Sequence, residues 1–280
     1  LSMTATPIPR SLQLTVFGDL NISVLNEMPK GRKKIATKIL KEVEINEKLY
    51  PMIRDTVKEG NQSGQQVYWI CKAIEDDAYS TSGKTPSDVT SVKSRAKKLH
   101  DRFPEYKIEF LHGKMKPAEK DDIMERFSNH EIDILVSTTV VEVGVDVPNA
   151  TLIVIENAES YGLAQLHQLR GRVGRGNLDS YCYLITSGDI PPSRRLKELE
   201  RSTDGFYLAE VDLKLRGPGE IYGSLQHGAL DLRIASLSDT KLIHQAQKDV
   251  EAFLQDSSNL VKYRELMEGI AKYQQITTLN

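Results

Sequence analysis

Cysteine is scarce, charge is nearly balanced and long apolar runs are missing, and each shortage removes a class of protein. Only two of the 280 residues are cysteines, Cys71 and Cys182. A zinc site draws on about four clustered ligands, so no metal site is expected. Both cysteines fall in predicted buried strands, and two reduced core thiols fit a cytoplasmic protein. The formal net charge is −2, so any nucleic-acid contact must come from local patches rather than a global basic field. The longest apolar runs, Val67–Cys71 and Tyr181–Ile185, are five residues each, against the roughly 20 that a membrane-spanning helix needs. No membrane contact and no signal peptide are expected. A complete phosphate-cradling loop is missing too. Ser82-Gly-Lys-Thr85 mimics the end of one, but position 78, where the pattern requires glycine, is alanine, and Pro86 follows at once. That stretch is expected to be a solvated loop.

What remains is a globular composition, 39% hydrophobic and 27% charged. Short β-rich runs at Gln66–Ile70, Lys107–Leu111, Ile132–Val136, Thr151–Ile155 and Tyr181–Ile185 predict strands. Most are apolar on both faces, as a parallel sheet covered on both sides requires. Helices are predicted between them at Asn46–Lys58, Asp88–Arg102, Pro117–Phe127 and Tyr161–Leu169. This alternation predicts an open, doubly wound α/β lobe. Met28–Lys34, with its proline, glycine and positive charge, is expected to be a linker. Pro191-Pro192 ends the sheet pattern, and a helical, charged region follows, interrupted by Gly217-Pro218-Gly219.

The chemistry concentrates in Gln168-Leu-Arg-Gly-Arg-Val-Gly-Arg175. The plainer reading is a basic surface loop. Spacing favours more: Gln165, Gln168 and Arg172 share one helical face, while Leu163, Leu166 and Leu169 supply packing. Arg172 and Arg175 would then stand on a fixed support, where a guanidinium can stabilise charge developing on a transferring phosphoryl group. Upstream, Asp133–Pro148 carries a strand ending in Ser137-Thr138-Thr139, and open α/β sheets bind ligands at the carboxyl ends of their strands. Gly144 permits close backbone approach, and Asp146 can accept hydrogen bonds from a ribose or orient an arginine. Thr4-Ala-Thr6-Pro by itself marks only a turn or helix start. Lys30, Arg32, Lys33, Lys34, Lys38 and Lys41 form one basic cluster and Lys93, Arg95, Lys97 and Lys98 another. Each is either a solvated face or a contact with a nucleic-acid backbone.

Together these segments resemble the superfamily 2 helicases. Ser2–Arg10 is similar to motif III, Asp133–Pro148 to motif V and Gln165–Gly176 to motif VI. Leu111–Asp121, Gly18–Val24, Ile155–Glu159 and Asp212–Glu220 point to one bacterial branch, whose members regress stalled replication forks and process Holliday junctions in DNA repair and recombination. The resemblance implies a RecA-like doubly wound parallel sheet with a C-terminal helical hairpin and extension. Residues 1–28 would be the tail of a first helicase lobe, 29–190 the second lobe, and 191–280 the translocation element. ATP and Mg²⁺ would lie between two lobes. Arg172 and Arg175 would be catalytic; Gly144, Asp146 and Gln168 would bind ATP; Thr138 and Thr139 would bind DNA; Thr4, Thr6, Arg216 and Gln226 would couple hydrolysis to movement. Branched and double-stranded DNA are the implied partners, with single-stranded DNA-binding protein as a further one. The family's phosphate-binding loop and acidic Mg²⁺ motif do not occur in these residues, and the chain starts at Leu1. It is therefore expected to be a segment of a longer motor, inactive alone as an ATPase. Competing expectations are a non-enzymatic nucleic-acid-binding module and a double-stranded DNA translocase of the transcription-repair coupling type.

Overall fold

The computed structural model describes residues 33–63, 65–72, 88–138, 146–188, 191–216, 240–255 and 262–277. Thr4, Thr6, Thr139, Gly144, Gln226 and Ser82–Thr85 lie outside them, and of Arg216 only the helical backbone is described. Six strands, β1 Ala36–Lys41, β2 Gln66–Ile70, β3 Ile108–Leu111, β4 Ile134–Ser137, β5 Ala150–Ile155 and β6 Tyr181–Thr186, form one sheet in the order β1-β6-β5-β2-β4-β3. Every pairing is parallel. All residues of β2, β4 and β5 are buried, which explains their largely apolar character: a central parallel strand meets protein on both faces.

Successive side chains of a strand point to opposite faces, and the helices cover both. On one face Val67, Trp69, Val136 and Val154 join a core with Leu49 and with Ile53 and Val57 of α1 (Tyr50–Ser63) and Val92 and Leu99 of α2 (Asp88–Arg102). On the other, Tyr68 packs at 4.9 Å against Phe127 of α3 (Pro117–Ser128). Burying each such large side chain stabilises by roughly 1.5–3 kcal/mol. The buried Gln66 amide donates to the carbonyls of Phe127 and Ile132 at 2.6 and 2.7 Å, tying the end of α3 to the lead-in of β4. Helices α4 (Leu163–Arg170), α5 (Arg194–Arg201) and α6 (Gly205–Arg216) follow.

The sequence patterns missed β1. Its lysines mark it as basic surface, yet it pairs with β6 from Ala36↔Tyr181 to Lys41↔Thr186 and buries Leu40. Exposed lysine is what an edge strand carries to discourage further pairing. The outward N–H of Ile39 donates to the Glu200 carboxylate of α5 at 3.1 Å, which occupies part of that edge. Lys33, from the same basic cluster, pairs with Asp179 at 2.9 Å.

The chain divides into two compact units, the described residues through Leu208 and those from Ala209 onward. The first holds the sheet. The second contains α7 (Thr240–Leu254) and α8 (Arg264–Thr277), with the Phe253 and Tyr263 rings 5.7 Å apart.

Candidate functional site

The arginine turn is built by α4 and two glycines. Leu163, Leu166 and Leu169 are fully buried, and Gln165 and Gln168 are half-buried. The helix therefore anchors one face and presents its amides on another, as the spacing predicts. It closes with Gly171 N–H donating to the His167 carbonyl at 3.1 Å and Arg172 N–H to that of Leu169 at 3.0 Å. Gly174 then adopts φ +73°, and a Cβ there would sit 2.9 Å from Ile35 Cγ1. Gly176 passes so close to Pro148 that a Cβ would lie 3.0 Å from its carbonyl oxygen. Positive φ and close approach both favour glycine. Between these positions Val173 is buried, while Arg172 and Arg175 keep access to solvent.

Arg175 Nη1 lies 3.4 Å from Asp146 Oδ1, and its Nε donates to the Gly171 carbonyl at 3.3 Å. Asp146 thus faces an arginine, one of the two partners its sequence position allows. Their side chains are 30% and 60% exposed, and an ion pair this open contributes about 0–1 kcal/mol. The pair therefore holds the guanidinium only weakly. Tyr68, which sequence patterns gave no reason to single out, lies beneath this group. Burial pushes its phenol well up, against the lowering fields of Arg172 and Arg175, and Asp146 adds to the rise.

Thr138 occupies the other end of the sheet. It follows β4 directly, at the carboxyl edge, and is 2% exposed; Asp146 and Arg175 precede β5 and β6, at the amino edge. The residues that the carboxyl-end rule grouped at one edge therefore lie at two opposite edges. At the carboxyl edge the sequence also missed a buried polar cluster. Glu156, just after β5, accepts from Trp69 Nε1 at 2.9 Å and pairs with Arg95 of α2 at 2.6 Å. Burial raises its carboxyl above the ordinary range, while Arg95, Trp69 and Cys71 counter the rise. Burial also pushes the Cys182 thiol up to about 12 and holds Cys71 in its thiol form. Neither has the lowered value of a reactive thiolate. Among the described residues no group of three or more His, Cys, Asp or Glu side chains could hold a metal ion, and no helix is long and apolar enough to cross a membrane.

Fold and arginine turn define a helicase motor lobe: residues 52–177 match the helicase conserved C-terminal domain. Residues 202–274 match the C-terminal part of domain 3 of the ATP-dependent DNA helicase RecG. The chain belongs to the RecG family. It is 44% identical to the RecG of Synechocystis sp. (strain PCC 6803) over 280 residues, covering 99% of this chain and 32% of that protein. Against the RecG of Aquifex aeolicus the identity is also 44%, over 97% of this chain and 34% of the relative. It thus spans about a third of the length of these curated relatives. A solved structure of RecG bound to a three-way DNA junction matches with a TM-score of 0.65 and 41% identity, over 85% of this chain and 30% of that one. The expected RecA-like parallel sheet is the fold observed.

Proposed function

We propose that this chain is the second motor lobe and translocation element of an ATP-dependent DNA helicase that regresses stalled replication forks and processes Holliday junctions in DNA repair and recombination. The observation that carries the reading is the solvent-accessible Arg172–Arg175 turn, framed by Gly174 and Gly176 and oriented by Asp146, in a chain 44% identical to named RecG helicases. Residues 29–190 would form the lobe and 191–280 the translocation element, with 1–28 the tail of the preceding lobe.

The donor set fits a polyphosphate. Arg172 and Arg175 would meet ATP phosphates, with Arg175 as the finger, while Gly144 and Gln168 would complete the nucleotide contact. Asp146 would hold Arg175 ready and release it to the phosphate. ATP supplies the phosphoanhydride whose hydrolysis drives movement. The same set does not suit Mg²⁺, since its one carboxylate already faces a guanidinium; the ion would be held by other residues. Thr139 would contact DNA phosphates, and Thr138, on the opposite edge, would join it only by opening from its buried position. Thr4, Thr6, Arg216 and Gln226 would couple lobe closure to movement on branched or double-stranded DNA. The protein would act in the cytoplasm, with single-stranded DNA-binding protein as a further partner.

The test is reconstitution. The chain alone should hydrolyse no ATP, and joining it to a first lobe that bears a phosphate-binding loop should produce DNA-stimulated hydrolysis and fork regression. A joined protein that binds forked DNA but never turns over ATP would sink the motor reading in favour of a binding module.

A further inference from the structure

Cys71 and Glu156 continue β2 and β5 past the carboxyl edge of the sheet, and Thr138 continues β4 beside them. Backbone bonds hold the three strand ends together. Glu156 N–H donates to the Ile70 carbonyl at 2.9 Å, and Cys71 N–H donates to that of Ser137 at 2.8 Å. Onto this edge α2 brings Arg95. Its Nε lies 2.6 Å from Glu156 Oε1, the oxygen that also accepts from Trp69 Nε1 at 2.9 Å. Its Cζ stands 5.6 Å from the centre of the Trp69 ring. The Cys71 thiol is within hydrogen-bonding reach of both charged groups. A carboxylate and an aromatic face thus fix the guanidinium in position and in plane.

Stability alone does not account for this arrangement. Taking two charges partly out of water costs about what their attraction returns. A guanidinium also carries five N–H donors, and one carboxylate with a weak sulfur acceptor does not use them all. Among the described residues Glu156 is the carboxylate paired with Arg95, and the Arg95 side chain stays 22% exposed. The surroundings are basic. Exposed Lys93 stands over the Phe110 ring of β3 at 5.5 Å, and exposed Lys114 follows the carboxyl end of that strand. Lys33, from the other basic cluster, is instead paired with Asp179.

We propose that Arg95 is a contact for a backbone phosphate of DNA at the carboxyl edge, and that Glu156 both aims its guanidinium and restrains it by competing with that phosphate. This deepens the motor reading above and rests on it. The planar fork of arginine matches the oxygens of a phosphate, and Glu156 presents it from a buried indole rather than from a mobile stem. A pair that only closed the lobe would leave DNA binding untouched.

The experiment measures Kd for labelled duplex DNA by fluorescence anisotropy on the 280-residue chain across a range of salt. Arg95→Gln should weaken binding about tenfold, the worth of a charge-assisted hydrogen bond, and lower the salt slope by about 0.9, as loss of one phosphate contact does. Glu156→Gln keeps an acceptor for Trp69 and Arg95 but removes the competing charge, so it should tighten binding by about threefold or more. In the double variant that gain should vanish. Trp69 is the chain's one tryptophan, so saturating DNA should alter its emission in the wild type and not in Arg95→Gln. Unchanged Kd and slope in Arg95→Gln would overturn the contact. A Glu156→Gln gain that persists without Arg95 would overturn the restraint, reducing Glu156 to a general repelling charge. If Arg95→Gln does not fold, Arg95→Lys should keep the salt slope and lose affinity; failure of both to fold would make the pair a structural lock and overturn the proposal. A wild-type chain that binds no DNA would also overturn it, leaving the motor reading to the hydrolysis test of the joined lobes. Loss of binding in Arg95→Gln beside a joined protein without hydrolysis would instead uphold the contact and refute the motor.

Discussion

Arg175 and Asp146 face each other at 3.4 Å across the amino edge of the sheet, each in the segment leading into one of two neighbouring parallel strands. Neither belongs to a helix or strand. Their separation is set by the β5–β6 pairing and by Gly176 seated against the Pro148 carbonyl. A guanidinium aimed by an exposed carboxylate is held in direction but bound only weakly, which suits a group that must exchange one anion for another.

Replacing Asp146 with Asn should therefore separate stability from activity. Loss of an exposed pair costs about 0–1 kcal/mol, so the denaturant midpoint of the chain should barely move. In the two-lobed motor, hydrolysis should fall by roughly tenfold to a hundredfold, the effect of a misplaced catalytic group. A large midpoint shift with unchanged hydrolysis would remove the orienting role.

Arg175→Ala should leave ATP binding by the two-lobed motor nearly intact and lower its turnover by ~10³ or more, the usual loss when an arginine finger is removed. Steady-state kinetics read both quantities. Near-normal DNA-stimulated hydrolysis would refute the finger assignment and transfer attention to Arg172.

Gly174→Ala tests the frame of the turn. The substitution forces a side chain into the left-handed region at φ +73° and places Cβ 2.9 Å from the branched Ile35 side chain. Chemical denaturation should show a loss of about 1–3 kcal/mol. Gly188 has φ +66° but open space around its would-be Cβ, so Gly188→Ala should cost less. Equal losses at the two positions would show that the crowding by Ile35 is immaterial.

Glu156 predicts a pH dependence. Its folded carboxyl titrates above the ordinary value of 4.5, because burial outweighs the attraction of Arg95. The folded state then holds more protons than the unfolded state between those two values, so stability falls as pH rises through that window. The contribution is fully present below the ordinary value and lost above the raised one. Denaturation of wild-type protein and Glu156→Gln across this range should show the wild type losing stability relative to the variant as pH rises. The opposite slope would mean that Arg95 and Trp69 outweigh burial.

Much of the lobe was legible before any coordinates. The central strands announce themselves because a strand buried on both faces carries few polar residues, and Gln66–Ile70 is observed with the predicted limits. Helix α2 likewise spans the predicted Asp88–Arg102. The edge strand β1 was invisible because Lys38 and Lys41 interrupt its apolar pattern and only Leu40 is buried. The arginine turn could be read from its glycines and leucine spacing, whereas Tyr68 and Glu156 could not. Each looks like an ordinary residue of a strand or its end until the packing brings charged groups from distant segments to it.

The residues alone determined the class of lobe, the parallel sheet and the arginines that face solvent, because periodicity, glycine placement and apolar runs are local properties. Only the tertiary structure decided that Asp146 meets Arg175, that Thr138 lies on the opposite edge, and that Arg170 is buried against the end of α5. Those pairings depend on strand order and crossover packing, which bring together residues far apart in the chain and which no local pattern encodes.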